Sequence, residues 1–133
     1  MMKSHIINYH SPDVDIDNFT PTIPDEFAFL LQVFVAVQDE PGDECFDIFV
    51  CTPKWIERHH SREAVLIGLH TIIVQGFDLK KLLKAIEELV CIEGSSWQEI
   101  SNRIGYVGLS EFDHIHWDGY KNVVKCGEAE RGN

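Results

Sequence analysis

The sequence lacks any apolar run of the roughly 20 residues that a membrane helix requires. The longest, from Phe27 to Val37, is interrupted by Gln32. The start, Met1-Met2-Lys3-Ser4-His5, carries no apolar stretch ending in a small-residue cleavage site. No secretory signal is expected, and the chain reads as soluble and cytoplasmic. Cysteine is sparse: Cys45, Cys51, Cys91 and Cys126 form no CxxC pair and no zinc-ribbon spacing. Reduced, partly buried thiols are therefore expected instead of disulfide staples. A phosphate-cradling glycine loop, a GxSxG turn and an HExxH helix are also absent, which removes three local signatures of enzymatic chemistry.

Positive charge is scarcest of all in the first part of the chain. Residues 1–50 hold ten acidic residues against Lys3 alone, whereas the later segments are nearly balanced. The chain carries 22 acidic and 11 basic residues, a formal net charge of −11. Such a surface repels a phosphate backbone, so no nucleic-acid partner is expected. A basic protein would instead be attracted and steered in. Acidity of this kind also serves solubility alone, and charge by itself does not separate the two readings.

The 133 residues fit one domain. Residues 1–125 are expected to form it, with 126–133 a polar, frayed C-terminal tail. Ser4–Tyr9 reads as a short strand, followed by an edge strand or irregular acidic loop through Ser11–Asn18. Phe27–Gln38 reads as a strand buried on both faces. Asp39-Glu40-Pro41-Gly42-Asp43 is a turn, and Glu44–Cys51 alternates Phe46, Ile48 and Val50 against Cys45, Asp47, Phe49 and Cys51. Together these predict a β-hairpin. Thr52-Pro53 starts a short helix reaching about His59, and Val65–Gln75 reads as a further strand with Gly68 at a bend. Leu79, Leu82, Leu83, Ile86, Leu89 and Val90 form one apolar stripe at helical period, starting after Asp78 and ending at Gly94. Ser96-Trp97-Gln98-Glu99 is a capping box opening a second helix, with Trp97, Ile100 and Ile104 on its apolar face and Gly105 as its stop. Residues 106–120 are ambiguous between a short strand and a helical turn near Glu111-Phe112. Strands precede helices, which predicts an α+β fold: an antiparallel sheet of about four strands with two or three helices packed on one face.

Seven histidines raise the question of metal or catalysis. His59 and His60 are adjacent, hence about 100° apart on a helix and a poor chelate. His114-x-His116 would place two rings on one side of a strand, near Asp113 and Asp118, but a structural metal site needs three or four ligands at a recognisable spacing. His70, within an apolar run, is expected to be hydrogen-bonded in the core. Cys45 and Cys51 share a strand face with Phe49, which burial explains without a nucleophile. The Asp13-x-Asp15-x-Asp17 run lacks the glycine and glutamate of a calcium loop, having Asn18 and Pro24 at those places. No catalytic residue, metal ligand or cofactor is assigned.

One stretch goes further than composition. Phe27–Trp55 reads FAFLLQVFVAVQDEPGDECFDIFVCTPKW: an aromatic-rich strand, an acidic glycine-containing turn, and a second strand ending in Cys51-Thr52-Pro53-Lys54-Trp55. This resembles the core of the immunity protein 8 family of bacterial polymorphic toxin systems. His10-Ser11-Pro12-Asp13, Ser96-Trp97-Gln98-Glu99 and Glu111-Phe112-Asp113 fit the same pattern, so the resemblance spans roughly residues 3–113. It implies a non-enzymatic cytoplasmic inhibitor encoded with a toxin, and it supplies no site residues.

The site proposal rests on charge. Asp13, Asp15, Asp17, Asp39, Glu40, Asp43 and Glu44 are the candidate toxin-binding residues, with a basic, nuclease-type toxin domain as the expected partner of a monomer or weak homodimer. Two alternatives compete: a small metal-dependent hydrolase using His114 and His116, and an acidic adaptor unrelated to toxins. Elemental analysis of the purified protein separates the first alternative from immunity. Zinc well below one ion per chain is expected, and a full equivalent would favour the hydrolase.

Overall fold

The computed structural model describes residues 1–112. The centre of the fold is the hairpin of β2 (Ala28–Val37) and β3 (Glu44–Cys51). Its antiparallel register sets Phe29 opposite Val50, Leu31 opposite Ile48 and Val33 opposite Phe46. Because strand side chains alternate, these six residues share one face, and all six are essentially inaccessible to solvent. The opposite face carries Ala28, Leu30, Phe49 and Cys51, also buried. A hairpin apolar on both sides must be covered on both sides.

The first face is covered by helices α2 (Leu79–Val90) and α3 (Trp97–Ile104). They bring Leu82, Ile86, Val90, Ile100 and Ile104 into one cluster with the hairpin. The second face is covered by α1 (Pro53–His59), whose Trp55 packs edge-on to Phe49 at 5.2 Å between ring centroids. The α+β class therefore holds, with one difference: two helices lie on one face and the third on the other. The reason is Trp55, an apolar residue only four positions beyond Cys51, which must follow the strand onto the nearest uncovered apolar surface.

The sheet is larger than four strands and mixed. β1 (Met2–His10) runs antiparallel to β2, with a bulge between Ile6 and Asn8. The short β4 (Thr71–Ile73) lies parallel to the far half of β3, while β6 (Leu109–Ser110) pairs antiparallel with its near half. β5 (Glu93–Gly94) pairs with Met2 and Lys3 at the other edge. The expected strand over Val65–Gln75 shrinks to three residues. β3 offers only its last three positions to it, His70 adopts φ 52° immediately before it, and Val65 and Ile67 stay exposed. An apolar, β-branched run cannot extend as a strand without a partner ladder. Residues 11–18 form a turn and a single 3₁₀ turn (Ile16–Asn18), not a strand.

The helix starts follow their capping residues. Thr52 Oγ1 accepts from Trp55 N and also from Phe27 N, fastening α1 to the start of β2. Asp78 caps α2 through Lys81 N, and Ser96 caps α3 through Glu99 N. Glu99 reaches back to Ser95 N and Oγ, which hold its carboxyl below the usual range. α2 ends at Val90, not Gly94. Buried Ser4 of β1 donates to Val90 O and accepts from Ile92 N, satisfying the helix end from the neighbouring strand. Gly94 sits instead in β5, where an added Cβ would lie 2.6 Å from Ile100 Cγ1. The proposed boundary between domain and tail at residue 125 lies outside the described residues.

Two substitutions check this frame in urea denaturation. Ser4→Ala leaves buried backbone groups of α2's end without their partner and should lower stability by about 1–3 kcal/mol. Gly94→Ala forces Ile100 out of its packed position and should cost a similar ~1–3 kcal/mol. Midpoints equal to that of the unaltered chain would contradict both accounts.

Candidate functional site

The seven charge-selected carboxylates separate into two groups at opposite ends of the hairpin. Asp13 approaches the far end, where its Oδ2 accepts from Leu30 N at 2.8 Å and continues the β2 ladder beyond the end of β1. Asp15 accepts from Asn18 Nδ2 at 3.0 Å, and Asp17 accepts from Tyr9 Oη at 2.6 Å, a contact that raises the Tyr9 hydroxyl's pKa. These three acids are tied into local structure. Asp39, Glu40 and Asp43 lie at the turn end, seven strand residues from Leu30, which is about 23 Å at ~3.3 Å per residue. They are exposed, and among the described residues their side chains make no hydrogen bond or ion pair. The turn is shaped by Asp39 at φ 66° and Gly42 at φ 89°, the left-handed region that favours glycine and tolerates Asp.

Glu44 departs from the surface role expected of it: it is only 5% exposed. Alternation explains why. Glu44 is two residues before Phe46, so it occupies the core face of β3, opposite Val35 and beneath α3. Its carboxylate accepts from Trp97 Nε1 at 3.0 Å and from Ser101 Oγ at 3.0–3.1 Å to both oxygens. Ser110 Oγ donates a third, short bond. All three partners are donors, the complement of an acceptor-only carboxylate. Burying an ion costs several kcal/mol, and hydrogen bonds to a charged group contribute about 1.5–3 kcal/mol each, so three of them offset much of that cost. Among the described residues no Lys, Arg or His pairs with Glu44.

Glu44, Trp97 and Ser101 line a cavity of about 310 Å³, rimmed by Tyr106 and Phe112, which are 88% and 67% exposed. Trp97 also lines a second cavity, of about 240 Å³, with Glu40, Pro41 and Asp43 of the turn. The indole thus stands between the acidic turn and the buried acid. Charge counting did not single out Trp97, Ser101 or Ser110. Trp97 and Ser101 are four apart and share a helix face, a usable signal; Ser110 arrives only through the β6 pairing. Next to Ser110, Glu111 Oε1 accepts from Cys45 N, completing the edge of β3.

The other chemical candidates resolve differently. The His59 ring stacks on Trp55 at 4.6 Å, and a His70 ring nitrogen bonds Gly105 O at 2.9 Å. His70 is half-buried at a turn, not inside a strand. Asp113, His114, His116 and Asp118 lie outside the described residues. Among the described residues no three His, Cys, Asp or Glu side chains gather to hold a metal, and no helix is long and apolar enough to cross a membrane. Cys45, Cys51 and Cys91 are free thiols. Burial pushes Cys45 and Cys51 up to about 12, with Asp47 and Glu111 adding to the effect at Cys45, so neither is a thiolate near neutral pH.

With this geometry in hand, the family model for Immunity protein 8 matches residues 4–115. The chain belongs to the immunity protein 8 family. No curated protein and no solved structure matches it.

The thiol chemistry is checked by alkylation of the folded protein at pH 8. Cys45 and Cys51 should react at least about tenfold more slowly than free cysteine, whose pKa of ~8.5 leaves it partly ionised, and unfolding should abolish the difference. Rapid labelling of either in the native state would contradict their burial.

Proposed function

We propose that this chain is a cytoplasmic immunity protein that neutralises a cognate toxin by non-covalent occupancy, and that the toxin is a basic, nuclease-type domain. The observation that carries the reading is the turn end of the hairpin. Within a family of immunity proteins, it holds three exposed carboxylates, Asp39, Glu40 and Asp43, with no internal partner among the described residues. A nuclease needs a positive groove to hold phosphate, and that groove is the complement of such a turn. The acids at the far end are less available, because Asp13, Asp15 and Asp17 already hold Leu30, Asn18 and Tyr9.

Charge and burial divide the work. Exposed carboxylates raise the rate of encounter and orient it. Residence time comes from packed contacts at the centre of an interface, most often aromatic or arginine. Trp97 lines a cavity with the turn residues Glu40 and Asp43, and the exposed Tyr106 and Phe112 line the neighbouring cavity that Trp97 also borders. The hairpin that carries the acids is buried on both faces, so little ordering cost is expected on binding.

Two measurements test the reading with the toxin domain encoded by the neighbouring gene. The triple substitution Asp39→Asn, Glu40→Gln, Asp43→Asn should weaken protection of toxin-producing cells while leaving Tm nearly unchanged; full protection would displace the interface from the turn. Raising ionic strength should slow association by about tenfold or more with little change in dissociation. Failure of the two proteins to co-purify at all would sink the immunity reading itself.

A further inference from the structure

The Glu44 carboxylate has about four acceptor directions on its two oxygens. The described donors supply three protons: one from the Trp97 indole, one from the Ser101 hydroxyl shared between both oxygens, and one from Ser110. Each oxygen carries two of these contacts, but the single Ser101 proton spans both oxygens; when it turns to one of them, a direction opens on the other, on a side chain that lines an open cavity of about 310 Å³. The site therefore combines three features that differ from an ordinary surface acid. The residue is only 5% exposed, its carboxylate is oriented by three donors, and among the described residues it has no cationic partner.

We propose that this cavity is a cation site that receives an arginine side chain of the toxin, whose guanidinium would give Glu44 its fourth hydrogen bond and its counter-charge. The inference rests on the immunity reading for the identity of the partner, but the cation chemistry stands on Glu44 alone. A guanidinium fits better than an ammonium. It is planar, weakly hydrated and stacks on aromatic faces, and the way in is flanked by the Trp97 indole with the exposed Tyr106 and Phe112 rings at the rim. The turn acids Glu40 and Asp43, on the other side of Trp97, would draw the same basic surface toward the opening. In the free protein the three neutral donors keep the buried charge tolerable. In the complex they hold the carboxylate in place, so that its orientation is already set when the arginine arrives.

The first test uses the full chain and methylguanidinium, with methylurea as a neutral control of the same shape at matched ionic strength. The Trp97 indole N–H signal, assigned by its loss in Trp97→Phe, should shift saturably with methylguanidinium and respond at least tenfold more weakly to methylurea. Glu44→Gln should remove the difference. Equal responses to the two compounds in the unaltered chain would overturn the proposal, whether or not the Glu44→Gln chain folds. The second test uses the toxin domain from the neighbouring gene. Tyr106→Ala and Phe112→Ala, both at exposed rim positions, should each weaken its binding at least tenfold without lowering Tm. Undiminished binding by both variants would show that the toxin does not enter the cavity, and would leave immunity intact. Absence of toxin binding by the unaltered chain, with methylguanidinium still selective, would instead remove the immunity reading and keep the cation site.

Discussion

The β2–β3 ladder is buried on both faces, and the rest of the chain is arranged to meet that demand. Once Phe29, Leu31, Val33, Phe46, Ile48 and Val50 point one way and Ala28, Leu30, Phe49 and Cys51 the other, two separate coverings are required. α2 and α3 supply one with a stripe of five buried aliphatics, and α1 supplies the other with a single indole. The short strands β4 and β6 share the remaining edge of β3, and Asp13 and Glu111 supply side-chain acceptors where strand partners run out. Backbone groups at such a buried centre have to be paired, which is why acidic side chains are drawn into structural positions in a chain so rich in them.

The same ladder determines which acids are exposed. A hairpin is rigid along its strands and open only at its turn, so Asp39, Glu40 and Asp43 are presented outward. Glu44, one residue further, is turned inward by the pleat. The boundary between an exposed charge and a buried one is therefore a single residue wide. Trp97 sits at that boundary, lining cavities on both sides. In the proposed complex, a partner that met the turn would meet the indole and the buried carboxylate next, an outer layer acting at long range and an inner one acting only on contact.

Much of the frame was legible in the residues. The hairpin limits, the Thr52-Pro53 and Ser96 helix starts and the α2 stripe all follow from local patterns: period-two alternation, capping chemistry and period 3.6; the family resemblance rests on the Phe27–Trp55 run. Where structure departs from local pattern, a pairing or packing partner decides. The Val65–Gln75 run has strand composition but only three residues of β3 to pair with, and Gly94 looked like a helix stop but is a contact with Ile100. Glu44 was grouped with the turn by its charge, although the alternation already recognised at Phe46, Ile48 and Val50, carried back one step, places it in the core.

The sequence by itself determined the class of fold and the acidity of the first fifty residues, because these depend on near neighbours and on composition, and it carries the family match over residues 4–115. Tertiary structure alone decided that the seven acids form two distant groups, that Asp13, Asp15 and Asp17 are spent on internal bonds, and that Glu44 is caged by Trp97, Ser101 and Ser110. Those outcomes depend on residues 53 to 66 positions apart in the chain meeting across packed layers. Hydrogen bonding to a buried charge is set by where such layers bring their donors, and no local pattern encodes that.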